Sequence, residues 1–519
     1  MKVGGSMINF MKKHLDLLTH RVFLVPLLMI IQLGIIYIMI FEFYKYFIIF
    51  FFISIILSLL MVIHIVNSRA NPGYKIAWII PIMTFPVFGL LLYILFGGNQ
   101  LSKRNKRKMQ NMYLKELEYK DKHNIVLSEL RYENISAYNQ AKYIENYALS
   151  NTCKHTKTTY LKDGKSYYNM LLEKIKNAKK FIFLEYFIIA EGKMWNTILK
   201  LIKEKVKEGV EVRLIYDDFG SITTLPNHYD KKLEKEGIKV AVFNPFVPNL
   251  KSKFNNRDHR KIAIIDGIYS FTGGINLADE YIGEKIRFGH WKDNGIMLEG
   301  DATWNFTIMF LSMWNFIKEK DEEYEKYKYP YSKETSSDGY IIPYSDSPWN
   351  NEAVGETIYL NLINKANKYI YITTPYLVLN NEMITALSVA AKRGVDVRII
   401  TPGIPDKKLV NEVTKAYYDQ LLENKIKIYE YTKGFIHEKT FIIDDEYLTV
   451  GTVNLDYRSL YLHFECGVWI YRASTIFTVK KDFTETLKEC REIKLKNLGK
   501  LTWFNSLKRQ ILKVFAPLM

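Results

Sequence analysis

Two stretches of this chain carry one sparse pattern at one spacing. HRKIAIIDGIYSFTGGIN holds His259, Lys261, Asp266, Gly273 and Asn276, and HEKTFIIDDEYLTVGTVN holds His437, Lys439, Asp444, Gly451 and Asn454. In both, His-x-Lys-x4-Asp is followed by Gly and Asn, and His to Asn spans 17 positions. Chance does not set five residue types twice at fixed offsets in a chain of 519 residues. Whatever this chain folds into, it builds one local unit twice.

The repeat reaches beyond the motif. Gly209–Ile215 (GVEVRLI) matches Gly394–Ile400 (GVDVRII), and Gly237–Phe243 matches Lys425–Tyr431. Ala178–Ile188 matches Ala366–Val378 with a short insertion, and Asp293 in KDNGIM matches Glu465 in FECGVW. Elements follow in the same order in both halves, so the pattern predicts an α/β unit duplicated and diverged.

Residues i and i+2 of a strand share a face. His and Lys of each motif therefore point into one site, while the aliphatics after them, Ile262–Ile265 and Phe441–Ile443, continue into a core. Two facing half-sites offer two imidazoles, two ammonium groups and two amides. That set suits phosphodiester chemistry: one of His259 and His437 attacks phosphorus, giving a phosphohistidine, and the other serves as general acid and then base. Lys261, Lys439 and the side-chain amides of Asn276 and Asn454 neutralise phosphate oxygens. No acidic cluster has metal-ligand spacing, so neither a metal nor another cofactor is expected. A degenerate pseudo-enzyme would lose motif residues, and both copies are intact.

A net charge of +17 and a pI near 9.2 imply an anionic partner: nucleic acid, anionic lipid or a phosphate-bearing substrate. Cys153, Cys466 and Cys490 are scattered and suggest no disulfide framework or zinc site. The first hundred residues hold three apolar runs, Val22–Phe41, Phe47–Val66 and Ile76–Gly97. About 20 apolar residues cross a bilayer, so a multi-pass membrane region is expected. Pro81, Pro86 and Gly89 mark the third run as kinked or re-entrant. Lys12, Lys13 and Arg21 precede the first run, and Lys103, Arg104, Lys106, Arg107 and Lys108 follow the third. Three full crossings would put these clusters on opposite sides, against the positive-inside tendency. The denser second cluster predicts that the part following it is cytoplasmic. Asn99–Asn151 reads as a charged linker with some helix, and Lys333–Asp338 (KETSSD) as a boundary between repeats. Leu501–Leu518 has apolar residues at helical spacing with Lys508, Arg509 and Lys513 between them, which fits either a helix packed on its own domain or one lying in a membrane interface.

On its duplicated motif the chain resembles the phospholipase D superfamily, over Tyr160 to about Glu485. The resemblance implies two phospholipase D-like α/β/α lobes with the active site at their interface. It makes His259 and His437 nucleophile and acid/base, and Lys261 and Lys439 phosphate binders. Asp266 and Asp444 belong to the same six-residue catalytic motif set, where such aspartates are more often supports than substrate contacts. A later carboxylate orients each His: Glu465 lies 28 residues after His437, and its repeat partner Asp293 lies 34 after His259. Glu465 is accordingly expected at His437. Within the superfamily, KIAWIIPIMTFPVFGLLLYILFGGNQ, NNRDHRKIAIIDG, FTGGINLADEYIG, HWKDNG and NLDYRS resemble the bacterial cardiolipin synthases. Three features depart from that group: Asp258 where Asn is common, Thr452 where Ser is usual, and the extra apolar run Val22–Phe41. Asp258 would add negative charge beside the phosphate site.

The resulting expectation is a basic segment over 1–20, a membrane region over 21–98 and a linker over 99–155. Repeats over 156–335 and 336–485 and an amphipathic tail over 486–519 complete it. The resemblance implies condensation of two phosphatidylglycerol molecules to cardiolipin and glycerol at an anionic membrane, with no nucleic-acid partner. Another acceptor such as serine or water, a membrane-tethered nuclease and a non-enzymatic scaffold are the rival readings. A nuclease would call for aromatic stacking platforms in a basic groove, and none is recognisable here.

Overall fold

Two sheets with one strand order carry the duplicated motif. The computed structural model describes residues 30–38, 41, 44–97, 103–245, 256–330, 338–349, 352–497 and 503–518. The first sheet has seven strands in the order β1-β9-β7-β6-β2-β3-β4. These are β1 (Thr156–Leu161), β2 (Phe181–Tyr186), β3 (Glu211–Asp217), β4 (Lys239–Phe243), β6 (Lys261–Ile265), β7 (Tyr269–Gly273) and β9 (Gly295–Gly300). The second follows β10-β17-β16-β15-β11-β12-β13-β18. Its members are β10 (Tyr340–Asp346), β11 (Tyr369–Thr373), β12 (Asp396–Pro402), β13 (Lys427–Tyr431), β15 (Thr440–Ile443), β16 (Tyr447–Gly451), β17 (His463–Tyr471) and β18 (Cys490–Ile493). Position by position the first seven strands of the second order repeat the first. β18 carries the second sheet past residue 485, where the sequence places a domain end.

The central strands read as continuous apolar runs because both faces are covered. On one face of the first sheet lie helices Gly164–Lys176 and Lys193–Lys207, packed through Tyr167, Leu171, Trp195 and Ile198. The other face meets helix Thr303–Lys318, in which residues 303–315 are buried except Trp304. Phe310 of this helix stacks on Phe183 at 4.7 Å between ring centroids. Ile262, Ile264 and Phe306 share one apolar core with Ile442, Leu448 and Val468, so the two lobes are fused by burial. Each such side chain contributes about 1.5–3 kcal/mol.

Residues 103–147, expected as a linker, form helices Lys103–Glu118, Ile125–Glu133 and Ile135–Tyr147. Ala137, Ala141 and Ile144 are buried, and the Trp469 indole donates to Gln140, so this stretch is part of the catalytic unit. The expected basic segment 1–20, the first part of Val22–Phe41 and the boundary at Lys333–Ser337 lie outside the described residues.

A separate unit contains the N-terminal helices and the turn Ala516–Leu518. Helix Tyr44–Val66 includes Ile48–Val66, 19 residues long and apolar enough to cross a membrane. The third apolar run is not one helix. It breaks into Pro72–Thr84, Pro86–Leu92 and a π-helical turn Tyr93–Gly97. The Phe85 backbone leaves helical geometry just before Pro86, as that proline demands. Gly89 then sits against the Pro81 carbonyl, where a Cβ would overlap it. Trp78, Ile82 and Phe88 close a small apolar cluster with Ile65, on which Leu518 packs.

Asp266 and Asp444 are the clamps that set strand register. Each sits at the turn after its motif strand with positive φ, 55° and 56°, a conformation Asp tolerates better than most residues. Asp266 accepts three backbone N–H groups, from Lys179, Lys180 and Phe181, at 2.7–2.9 Å. Asp444 accepts those of Asn367, Lys368 and Tyr369. They tie the β6–β7 and β15–β16 turns to the starts of β2 and β11. Both carboxylates are spent on backbone amides, so within the motif set they are supports, as the resemblance implied, and not substrate contacts. Asp444→Ala should lower stability by about 3 kcal/mol, three charge-assisted bonds partly replaced by water. Thermal unfolding checks this, and activity per folded molecule should stay near that of the parent.

Candidate active site

Two short strands are exchanged between the lobes, and they build the site. β5 (Arg257–Asp258) leaves the first lobe and pairs in parallel with β17 of the second, Arg257 opposite His463 and Asp258 opposite Phe464. β14 (Gly434–Ile436) leaves the second lobe and pairs in parallel with β8 (His290–Lys292) of the first. One more step along each register sets His259 opposite Glu465 and His437 opposite Asp293. The backbone continues the pairing: His259 N–H donates to the Phe464 carbonyl at 2.9 Å, and His437 N–H to that of Lys292 at 2.7 Å.

Side chains follow. His259 Nδ1 lies 3.0 Å from both Glu465 oxygens, and His437 Nδ1 lies 2.6 Å from Asp293 Oδ2. The expected assignment of Glu465 to His437 is therefore corrected. Each imidazole is held by the other lobe's carboxylate, because strand exchange, and not repeat order, decides proximity. With Nδ1 bonded to a carboxylate, Nε2 is the nitrogen left to face a substrate. Lys261 Nζ donates to the His259 carbonyl at 2.6 Å, and Lys439 Nζ to the His437 carbonyl. All four motif side chains are buried.

The two carboxylates are not equally supported. Glu465 also accepts from Ser459 Oγ at 2.7 Å and Thr452 Oγ1 at 2.5 Å. Asp293 accepts one backbone N–H, from Asn294 at 2.9 Å. Thr452 is thus a working replacement for Ser, since only its hydroxyl is used. Asp258 does not face the phosphate site. It accepts from Arg260 Nε at 3.1 Å, and Arg260 also pairs with Glu185 at 2.6 Å, so its charge is matched beneath the strand.

The two asparagines differ as well. Asn276 accepts from the Ile188 N–H at 3.0 Å and donates to the Tyr281 hydroxyl at 2.6 Å. Asn454 is buried and its Oδ1 has no hydrogen-bond partner. Tyr281, 5.8 Å from the His437 ring, is a neighbour that sequence reasoning missed. His463 is another: its ring lies 5.4 Å from that of His259, and its Nδ1 lies 3.4 Å from Glu465. Sequence holds a signal for it, since His463 and Glu465 are two apart on β17 and share a face. Beneath His437, Lys292 pairs with Asp482 at 3.0 Å and Glu438 at 3.2 Å, which bolts the lobes together.

His259, His463 and Glu465 have ligand atoms within 4.8 Å of one another, a spacing that could hold a metal ion. Glu465 is already committed to His259, Thr452 and Ser459, and Arg458 Nε donates to His463 Nε2 at 3.3 Å. A guanidinium on the rim and two lysines in the site disfavour a dication there.

Burial depresses both imidazoles well below their ordinary range, with Lys261 and Lys439 pushing the same way. Burial also lowers Lys439 to about 7 and Lys261 to about 8, and it raises Asp293 to about 7. The site is thus a buried, cationic cluster with two carboxylate-backed bases. It can attack phosphorus with one imidazole, move a proton with the other and compensate charge on phosphate oxygens.

Known proteins resemble this chain. Residues 171–288 and 359–487 match the family model described as cardiolipin synthase, PLD-like domain. Residues 56–98 match the phospholipase D-nuclease N-terminal domain. The chain is 45% identical over 462 residues to an uncharacterized protein of Streptococcus mutans, covering 88% of this chain and 99% of that one. It is 30% identical over 456 residues to a cardiolipin synthase of Halalkalibacterium halodurans, covering 87% and 90%. Its fold is similar to that of phosphatidylserine synthase from Haemophilus influenzae, with a TM-score of 0.54 at 15% identity, covering 73% and 97%. The fold, the paired motifs and these relatives define a phosphatidyltransferase of the phospholipase D type. The chain belongs to the cardiolipin synthase family within that group.

The titrations set a pH dependence. As pH falls through about 7, Asp293 takes up a proton and ceases to back His437 as an anion. As pH rises through about 7 to 8, Lys439 and then Lys261 lose their charge and their hold on phosphate. We expect kcat/KM, which reports on the free enzyme, to be bell-shaped and narrow around neutrality. Asp293→Asn should leave a lower rate without the acid limb while the alkaline limb stays; an unchanged acid limb would assign it to another group.

Proposed function

We propose that this enzyme joins two phosphatidylglycerol molecules into cardiolipin and releases glycerol. The observation that carries it is the pair of imidazoles, one from each lobe, each backed by the other lobe's carboxylate, with two lysines between them. Family membership and the +17 charge support an anionic phospholipid as substrate.

One His attacks the phosphorus of the first phosphatidylglycerol through Nε2. The bond from phosphorus to the headgroup glycerol oxygen breaks, and the other His, entering the cycle protonated on Nε2, gives that proton to the oxygen as glycerol leaves. A phosphatidyl-histidine remains. The same second His takes the proton from a headgroup hydroxyl of another phosphatidylglycerol, whose oxygen attacks phosphorus and displaces the first His. Lys261 and Lys439 neutralise the phosphate oxygens throughout, with Asn454 as a buried amide beside them. Burial, with the two lysines, disfavours the imidazolium, and an entering phosphate anion offsets this, so the second His can hold the proton that it gives to the leaving oxygen. One phosphodiester replaces another, so no nucleotide-activated lipid is required. We place the N-terminal region in the cell membrane as a multi-pass anchor, with Lys103–Lys108 and the lobes on the cytoplasmic side.

Membranes carrying the full chain, incubated with labelled phosphatidylglycerol, should yield cardiolipin and glycerol, with excess EDTA present or absent. His259→Ala and His437→Ala should each lower the rate on the order of 10⁴-fold or more. Added glycerol should return cardiolipin to phosphatidylglycerol. Phosphatidic acid or phosphatidylserine as the dominant product would assign the acceptor to water or serine instead.

A further inference from the structure

Helix Trp503–Phe515 is held against the second lobe by its polar side. Arg509 Nε pairs with Glu412 at 3.0 Å, and Lys513 donates to Gln420 at 3.2 Å with its ammonium 4.4 Å from the Tyr417 ring. Apolar side chains at i, i+3/i+4 and i+7/i+8 point the other way. Trp503 is 78% exposed, Phe504 69%, Ile511 49% and Leu507 38%, and no residue of the helix is buried. A helix stabilised by its own lobe would turn this stripe inward. Exposed Lys508 lies beside the stripe.

The neighbouring helix Lys408–Lys415, which supplies Glu412, exposes Leu409 one turn earlier and Ile404 just before it, with Lys407 and Lys408 also exposed. Lys407 is close enough to the catalytic pocket for its charge to act on both His259 and His437. The apolar and basic surface therefore runs up to the rim of the site. Beyond the helix the chain continues into Ala516–Leu518, which packs within the unit that holds the apolar helix Ile48–Val66.

We infer that helix Trp503–Phe515 docks on an anionic bilayer surface, seating Trp503, Phe504, Leu507 and Ile511 among the lipid headgroups while Lys508 meets their phosphates. The charge complementarity and the covalent continuation into an apolar unit favour lipid over a second copy of the chain. Docking holds the pocket rim at the lipid surface, so a phosphatidyl group reaches the site without leaving the membrane.

The test uses the full-length enzyme in nanodiscs of phosphatidylglycerol and phosphatidylcholine with brominated acyl chains. An environment-sensitive fluorophore is attached in turn to Phe504→Cys, Leu507→Cys, Ile511→Cys and Ser506→Cys, in a Cys490→Ser background. Quenching at 504, 507 and 511 but not at 506 is expected. Absence of quenching, or equal quenching at all four, overturns the proposal, as does copy-to-copy crosslinking through Leu507→Cys in place of quenching. This readout needs no turnover, so it stands or falls apart from the lipid product. In a second arm, Leu507→Glu with Ile511→Glu should lower transfer from vesicles about tenfold, the weight of lost apolar burial at an interface. Turnover of a short-chain, water-soluble phosphatidylglycerol should stay within about twofold of the parent. Equal loss on both substrates would overturn the docking role.

Discussion

Each motif histidine is tied by its backbone N–H to the opposite lobe, and the rest of the site depends on that exchange. β5 and β14 are only two and three residues long, yet they set the register that brings His259 to Glu465 and His437 to Asp293. Neither lobe contains a complete dyad. The shared apolar core and the Lys292–Asp482–Glu438 cluster keep the lobes from parting, and with them both dyads. A lobe that shifted by one residue would lose both carboxylates at once.

Burial then does the electrostatic work. Four basic groups share a cavity shielded from water, so each makes its neighbours harder to protonate. Each lysine folds back on the carbonyl of its own histidine, which gives its ammonium a partner within the protein. The carboxylates divide the labour unequally. Glu465 has three hydrogen-bond donors, while Asp293 has two and is raised toward neutrality. The two halves of a duplicated site are therefore chemically distinct.

The duplicated lobes, the motif strands and the inward-facing His and Lys were legible in the sequence, because period two and a repeated spacing leave little freedom. The partners of those side chains were not. Glu465 lies 28 residues after His437 and 206 after His259, and only the strand exchange shows that the distant pairing holds. Ser459 and Tyr281 carry no periodic signature that would single them out. Asp258 looked like a charge beside phosphate, and it proved to be the partner of Arg260, which a two-residue spacing on a strand already allowed. The stretch 103–147 read as a linker because its charge hides the few buried positions, Ala137, Ala141 and Ile144, that pack it down.

The break at Phe85 has a further meaning for how the chain is threaded. Helix Pro72–Thr84 and the helical stretch Pro86–Gly97 are each about 20 Å long, against a hydrocarbon layer of about 30 Å. Neither arm alone spans that layer. If the third run is re-entrant and Val22–Phe41 and Ile48–Val66 both cross, the count is even. Lys12, Lys13 and Arg21 would then share a side with Lys103–Lys108, and one kinked segment would reconcile two basic clusters that three straight ones set at odds.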